Sequence, residues 1–145
     1  MGNDPYRDNL GPRAVFAKKV PVEGRLVVVM DGHLAQRGLE LIVQATRGVS
    51  AGDVHELIGS DEPGIGPGRT ADKIAFLGFV EILNGGVLCA GDEMRVGAKL
   101  VGRLAGFDYT HMPNHMNIVI SVAEDLSGID RAFELGDPVR FELPA

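Results

Sequence analysis

The stretch AGDEMRVGAKLVGRLAGF (Ala90–Phe107) opens on a Gly-Asp turn, runs through Glu93 to Gly97, and after two residues starts a second apolar run, Leu100 to Tyr109. Each run is too short for a stable helix, and each is fenced by residues that favour turns, which is the signature of strands. Working outward, the same texture recurs. Lys73 to Ile82, Met116 to Ala123 and Pro138 to Leu143 are further short apolar runs, separated by Asn84-Gly85-Gly86, Ser127-Gly128 and Gly136-Asp137. Upstream, Val20 to Met30 (VPVEGRLVVVM) ends in a β-branched and apolar run suited to a buried strand. Twenty glycines and eight prolines in 145 residues supply the turns such a chain needs. The pattern predicts a mainly β fold, a small, partly open β-barrel of about six to eight strands.

Between the first strand and that region the reading differs. His33 to Arg47 spaces Leu34, Leu41, Ile42 and Ala45 as one helical face, with Gly48 as a stop, although Gly38 interrupts it and LELIV suits a strand equally. A second short helix is expected after Ser50 as N-cap, through Val54, Leu57 and Ile58. One or two short helices are therefore added to the barrel. Gly59 to Arg69 (GSDEPGIGPGR) is a loop, long enough for so small a domain to suggest that it covers something. A faint echo links Ala90–Val96 to Leu135–Phe141: in each, a Gly-Asp turn leads into a strand, and Asp is expected to bond the amides that follow.

Residues 1–13 read as a flexible polar lead-in and 14–145 as a single domain. The net charge of −6, with no basic run longer than Lys18-Lys19, argues against a nucleic-acid partner. No apolar run approaches the length of a membrane span, and the N-terminus lacks a signal pattern. The single Cys89 forbids an internal disulfide and fits a reducing cytoplasm. Edge strands and an acidic surface make a homodimer a reasonable expectation.

Chemistry concentrates in DYTHMPNHMN (Asp108–Asn117), which sets two of the four histidines four positions apart. With Met112-Pro113-Asn114 as a hairpin loop, His111 and His115 become cross-strand neighbours whose Cβ atoms lie roughly 4.5–5.5 Å apart. In the following strand Met116, Ile118, Ile120 and Val122 share one face, while His115, Asn117, Val119 and Ser121 share the other. Parity leaves open whether the histidine face meets solvent or lines a pocket. His111 and His115 are candidate acid and base, Tyr109 and Asp108 candidate orienting groups, and Asn117 a candidate substrate contact. Arg69 and Thr70, at the exit of the Gly/Pro loop, form a candidate substrate clamp. A transition metal held by His111, His115 and a carboxylate is the alternative, although His-x-x-x-His on a turn lacks the fixed helical spacing of strong zinc motifs. His55, flanked by charges, reads as a surface residue.

From Asp72 to Phe141 the order FVEILNGG, AGDEMRVGAKLVGRLAG, NHMNIVISV and GDPVRF resembles the sorbitol (glucitol) IIA component of the bacterial sugar phosphotransferase system. The resemblance implies a small β-barrel-like protein. In that family a histidine in the strand matching Phe76–Glu81 accepts the phosphate; here the strand has none, so phosphate relay is not implied. The blocks TADKIAFLGFVEI and GFDYTHMPNHMNIVI also resemble a small uncharacterised bacterial family. The residues themselves lead to the expectation of an enzyme without a cofactor, doing acid/base chemistry of isomerase, cyclase or lyase type on a small polar metabolite. A non-catalytic binding or regulatory barrel and a metal-dependent enzyme are the alternatives.

Overall fold

A computed structural model describes residues 19–144, and the expected flexible segment 1–13 lies outside the described residues. Twelve strands follow one another: β1 (Val22–Val29), β2 (His33–Leu34), β3 (Leu39–Glu40), β4 (Thr46–Val49), β5 (Val54–Ser60), β6 (Thr70–Ala71), β7 (Ile74–Asn84), β8 (Gly86–Cys89), β9 (Glu93–Val96), β10 (Lys99–Asp108), β11 (Asn117–Val122) and β12 (Pro138–Glu142). Seven of them close on themselves in the order β1-β12-β9-β10-β11-β5-β7, with β7 returning to β1; β2 extends β7 at its far end. All of these pairs are antiparallel except β11 with β5. The mainly β barrel is thus as the sequence predicts, and it is closed where a partly open one was expected.

The expected helices do not form: among the described residues none is helical. In the first, Gly38 adopts φ 67°, and the backbone amides of Arg37, Leu41 and Ile42 bond to Asp72, Arg69 and Phe107, far along the chain. The residues buried there are Leu39 and Leu41, two apart, while Leu34 and Ala45 of the supposed helical face are exposed. The second became β5. From His55 to Ser60 every residue is buried, because β5 lies between β7 and β11 with both faces covered. A strand covered on both sides loses the alternation that marks a strand in sequence. Ser50 caps nothing; its amide donates to Asp53 Oδ2 in a turn.

Two apolar cores result. Leu57, Leu77, Leu104, Phe107, Ile118, Ile120 and Phe141 fill the barrel. Outside it, Leu39 and Ala71 of the small β3–β6 sheet, with Leu41 just after β3, close over Ile58, Ala105 and Val119. The Gly/Pro loop joins this second layer through Ile65, and the Gly68 amide donates to the Leu41 and Ile42 carbonyls. So the loop does cover something, and what it covers is the outer core.

The Gly-Asp echo proves to be one device on paired neighbours, since β9 and β12 run antiparallel side by side. Gly91 and Gly136 both take positive φ (96° and 87°), which glycine adopts without steric cost. The aspartate reaches backward where a forward bond was expected: Asp92 accepts the Cys89 amide at 3.0 Å and Asp137 that of Glu134 at 2.9 Å. Asp53 closes the turn before β5 in the same way.

At the other end of the chain path, His33 on β2 contacts Asp130 (3.1 Å) and Asp125 (3.4 Å), tying β2 to the segment after β11. Burial works to lower the imidazole's pKa, but its bonds to Asp130 and Asp125 outweigh this and raise it. The Asp130 pKa is lowered, first by the Ser127 amide and then by His33. A raised native histidine stabilises fully below its unfolded value of about 6.5 and stops doing so as pH rises through the native value. A lowered aspartate contributes above its unfolded value of about 3.9 and fails as pH falls through the native one. The thermal midpoint gap between the wild type and His33→Gln is therefore expected to be larger at pH 5.5 than at pH 8.5. Equal gaps at the two values would show the contact to be idle.

Candidate metal centre on the outer face of the barrel

Strand parity decides which way the histidine face looks. Met116, Ile118, Ile120 and Val122 point into the barrel core, so the other face of β11 looks outward, towards the β3–β6 layer. Val119 is covered by that layer, and one rung further on come Asn117 and its parallel neighbour Glu56 on β5. Glu56 and Asn117 are 7% and 1% exposed. A carboxylate this buried needs a partner or a cation. His115 is the nearest, with Nε2 3.4 Å from Glu56 Oε1, a contact long for a hydrogen bond.

His111 and His115 do come together, with ring centroids 5.1 Å apart, although not as hairpin neighbours. β10 ends at Asp108 and β11 begins at Asn117, so both histidines sit in the connecting loop, which turns because the His111 carbonyl accepts the Asn114 and His115 amides. The ring of His115 is held on three sides: Phe79 meets it edge-on at 5.1 Å, Asn114 lies 3.1 Å from Nδ1, and Glu56 lies beyond Nε2. His111 is exposed. Glu56, His111 and His115 each offer one ligand atom, and the three atoms lie within 4.8 Å of one another.

The spacing suits a metal ion. For bonds of 2.0–2.1 Å, tetrahedral geometry puts neighbouring ligand atoms roughly 3.3 Å apart. His115 and Glu56 stand at 3.4 Å, and a ring nitrogen of the exposed His111 belongs to the same group of atoms within 4.8 Å. His115 Nε2 is buried and has no hydrogen-bond partner among the described residues, which leaves it free to act as a ligand atom. Burial raises the Glu56 pKa, opposed by the nearby His115, His111 and Arg37; a cation at this point would favour the ionised form outright.

Of the other residues singled out from the sequence, some lie beside this group and some apart from it. Tyr109 accepts a hydrogen bond from Arg47 Nη1 (2.9 Å), whose guanidinium carbon lies 5.4 Å from the ring centroid. Asp108, buried, accepts the Thr110 amide and the Asn117 side-chain amide, so it shapes the loop from within. Asn117 Oδ1 is buried without a partner among the described residues and stands beside Glu56. Arg69 and Thr70 are exposed on the β3–β6 side, and among the described residues no hydrogen bond or ion pair joins them to the histidines.

Two participants were not read from the sequence. Glu56 was hidden in a supposed helix. His55, taken for a surface residue, is 7% exposed; its Nδ1 accepts the Met116 amide (3.1 Å) and its Nε2 lies 3.6 Å from Asp53 Oδ2. Burial lowers its pKa against the pull of Asp53. A buried His-Glu pair beside a turn was the available signal: a strand covered on both faces has no reason to carry two polar residues in succession unless they have partners.

A closed β-barrel carrying on its outer face a buried carboxylate and two imidazoles, one of them exposed, is therefore the class to which fold and site assign the molecule. Over residues 16–142 the sequence matches DUF6917, a family of unknown function, and the chain belongs to that family. Neither the curated proteins nor the solved structures provide a match. Among the described residues no helix is long and apolar enough to cross a membrane.

Proposed function

We propose that the chain is a metal-dependent enzyme acting on a small polar metabolite, with one divalent first-row ion held by Glu56, His111 and His115. The observation that carries the reading is the convergence of three ligand atoms from β5 and the loop before β11 within 4.8 Å. Two imidazoles and one carboxylate, with no thiolate, suit zinc or ferrous iron over softer ions. Three protein ligands leave coordination positions for water and substrate. In that role the ion would polarise a substrate oxygen, and the chemistry would be of lyase or isomerase type. Asn117 Oδ1, an unpaired acceptor beside Glu56, is the group placed to receive a hydrogen bond from water or substrate there.

A second reading keeps the same three residues without metal. His115 would pass a proton between Glu56 and substrate, with His111 as its partner, which makes a cofactor-independent acid/base enzyme. It is favoured by the side-chain amide of Asn114, placed to donate to His115 Nδ1 and so leave the ring proton facing Glu56. On either reading a cytoplasmic location fits the free Cys89.

Elemental analysis of protein purified without an affinity tag separates the two. The expected result is about one equivalent of zinc or iron in the wild type and none in the His111→Ala/His115→Ala double variant. No metal in the wild type, and none taken up on dialysis against zinc, would retire the metal reading and leave the acid/base pair.

A further inference from the structure

We propose that His55 is a positioning residue of the metal centre, clamping the ligand-bearing loop to the ligand-bearing strand through a backbone hydrogen bond. This rests on the reading of Glu56, His111 and His115 as ligands. His55 immediately precedes Glu56 on β5, and Met116 immediately follows His115. The peptide units flanking Met116 are held at two polar atoms from β5: the Met116 amide donates to His55 Nδ1, and its carbonyl accepts the Glu56 amide, both at 3.1 Å. The first rung of the parallel pairing, Glu56 with Asn117, follows directly. His55 thus joins the residue before one ligand to the residue after another.

The bond is demanding. Met116 is fully buried, and an amide in such a place must find an acceptor. For Nδ1 to accept, the ring proton has to sit on Nε2, and the carboxylate of Asp53, 3.6 Å away, favours that tautomer. Asp53 is itself fixed by the Ser50 amide (2.9 Å). The order turn, carboxylate, imidazole, backbone resembles the outer-shell supports that orient metal ligands, except that it acts on the chain next to the ligand and not on the ligand's ring. Metal bonding tolerates displacements of only about 0.2 Å, so a loop free to shift at Met116 would hold His115 badly.

The test titrates metal-free protein with zinc in competition with a chromophoric chelator, for the wild type, His55→Leu and His55→Asn, with thermal melts of each metal-free form. Leucine fills the space and offers no acceptor. Asparagine places Oδ1 near the position of Nδ1 and can take the Met116 amide. The expected result is zinc affinity weakened roughly 10–100-fold in His55→Leu and held within about threefold of the wild type in His55→Asn. The metal-free melting temperature should fall further in His55→Leu, which leaves the buried Met116 amide without an acceptor, than in His55→Asn. Unchanged affinity in His55→Leu, or equal weakening in both variants, overturns the proposal while the metal reading stands. Absence of zinc binding by the wild type overturns both. Should His55→Leu fail to fold, His55→Gln takes its place, since its polar end lies beyond the Nδ1 position; affinity equal to that of His55→Asn then overturns the proposal.

Discussion

Replacing Glu56 by glutamine is expected to abolish stoichiometric metal while leaving the fold intact. On the metal reading the carboxylate would be the sole anionic ligand in the Glu56, His111 and His115 set, and a neutral amide oxygen would leave the charge of a divalent ion unmatched beside a buried strand. Zinc affinity should fall by more than about 100-fold, beyond the range typical of outer-shell changes. The metal-free fold should barely notice. Burial already disfavours the ionised form of Glu56, and glutamine keeps its shape without the charge. A midpoint within roughly 3 °C of the metal-free wild type is expected, a change of about 1 kcal/mol or less. If the variant keeps its metal, Glu56 is no ligand. If it unfolds, the carboxylate serves the fold and its meeting with the histidines is structural.

The largest loss of stability is expected from Phe107→Ala. Phe107 is fully buried in the barrel core, opposite Ile118 in register, and its carbonyl accepts the Ile42 amide at 2.8 Å. That bond ties the outer layer to the barrel wall at the same residue, so the backbone cannot easily sink into the cavity left by the ring. Removing a buried phenylalanine ring costs about 3–5 kcal/mol, more when the surroundings cannot collapse. For a chain of this size that corresponds to a midpoint lower by roughly 10–20 °C. Val43 and Leu135, 74% and 71% exposed, provide the contrast: their alanine variants should stay within about 0.5 kcal/mol of the wild type. A loss below about 1 kcal/mol for Phe107→Ala would mean that the barrel interior is loosely filled, contrary to ordinary packing.

These two residues also mark how far the sequence could be read. Phe107 lies on a strand announced by turn residues at both ends, and six of the seven barrel strands were legible for that reason. β5 was not, because covering both of its faces erased the alternation, and Glu56 disappeared with it. The proximity of His111 and His115 was legible from their spacing; its cause, a loop folded on the His111 carbonyl, was not. Parity sorted β11 into two faces correctly, but that the outward face is also covered depended on β3 and β6, two-residue strands too brief to leave a periodic signal. Tyr109 and Asp108 were picked by nearness in sequence to the histidines. Their partners, Arg47 and Asn117, lie on other strands, and no single sequence states such pairings.

The backward-reaching aspartates at Asp53, Asp92 and Asp137 each stand directly before a barrel strand, namely β5, β9 and β12. They act as fixed counting points for the chain. A residue inserted just after one of them would slide the strand by one position and turn every inward side chain outward. The Gly/Pro loop between β5 and β6 has no such duty at its exposed Pro63-Gly64 tip, and an extra residue there lengthens the surface path without shifting any barrel strand. The molecule therefore has places where length is free to vary and places where it is not, and the boundary between them is drawn by three carboxylates.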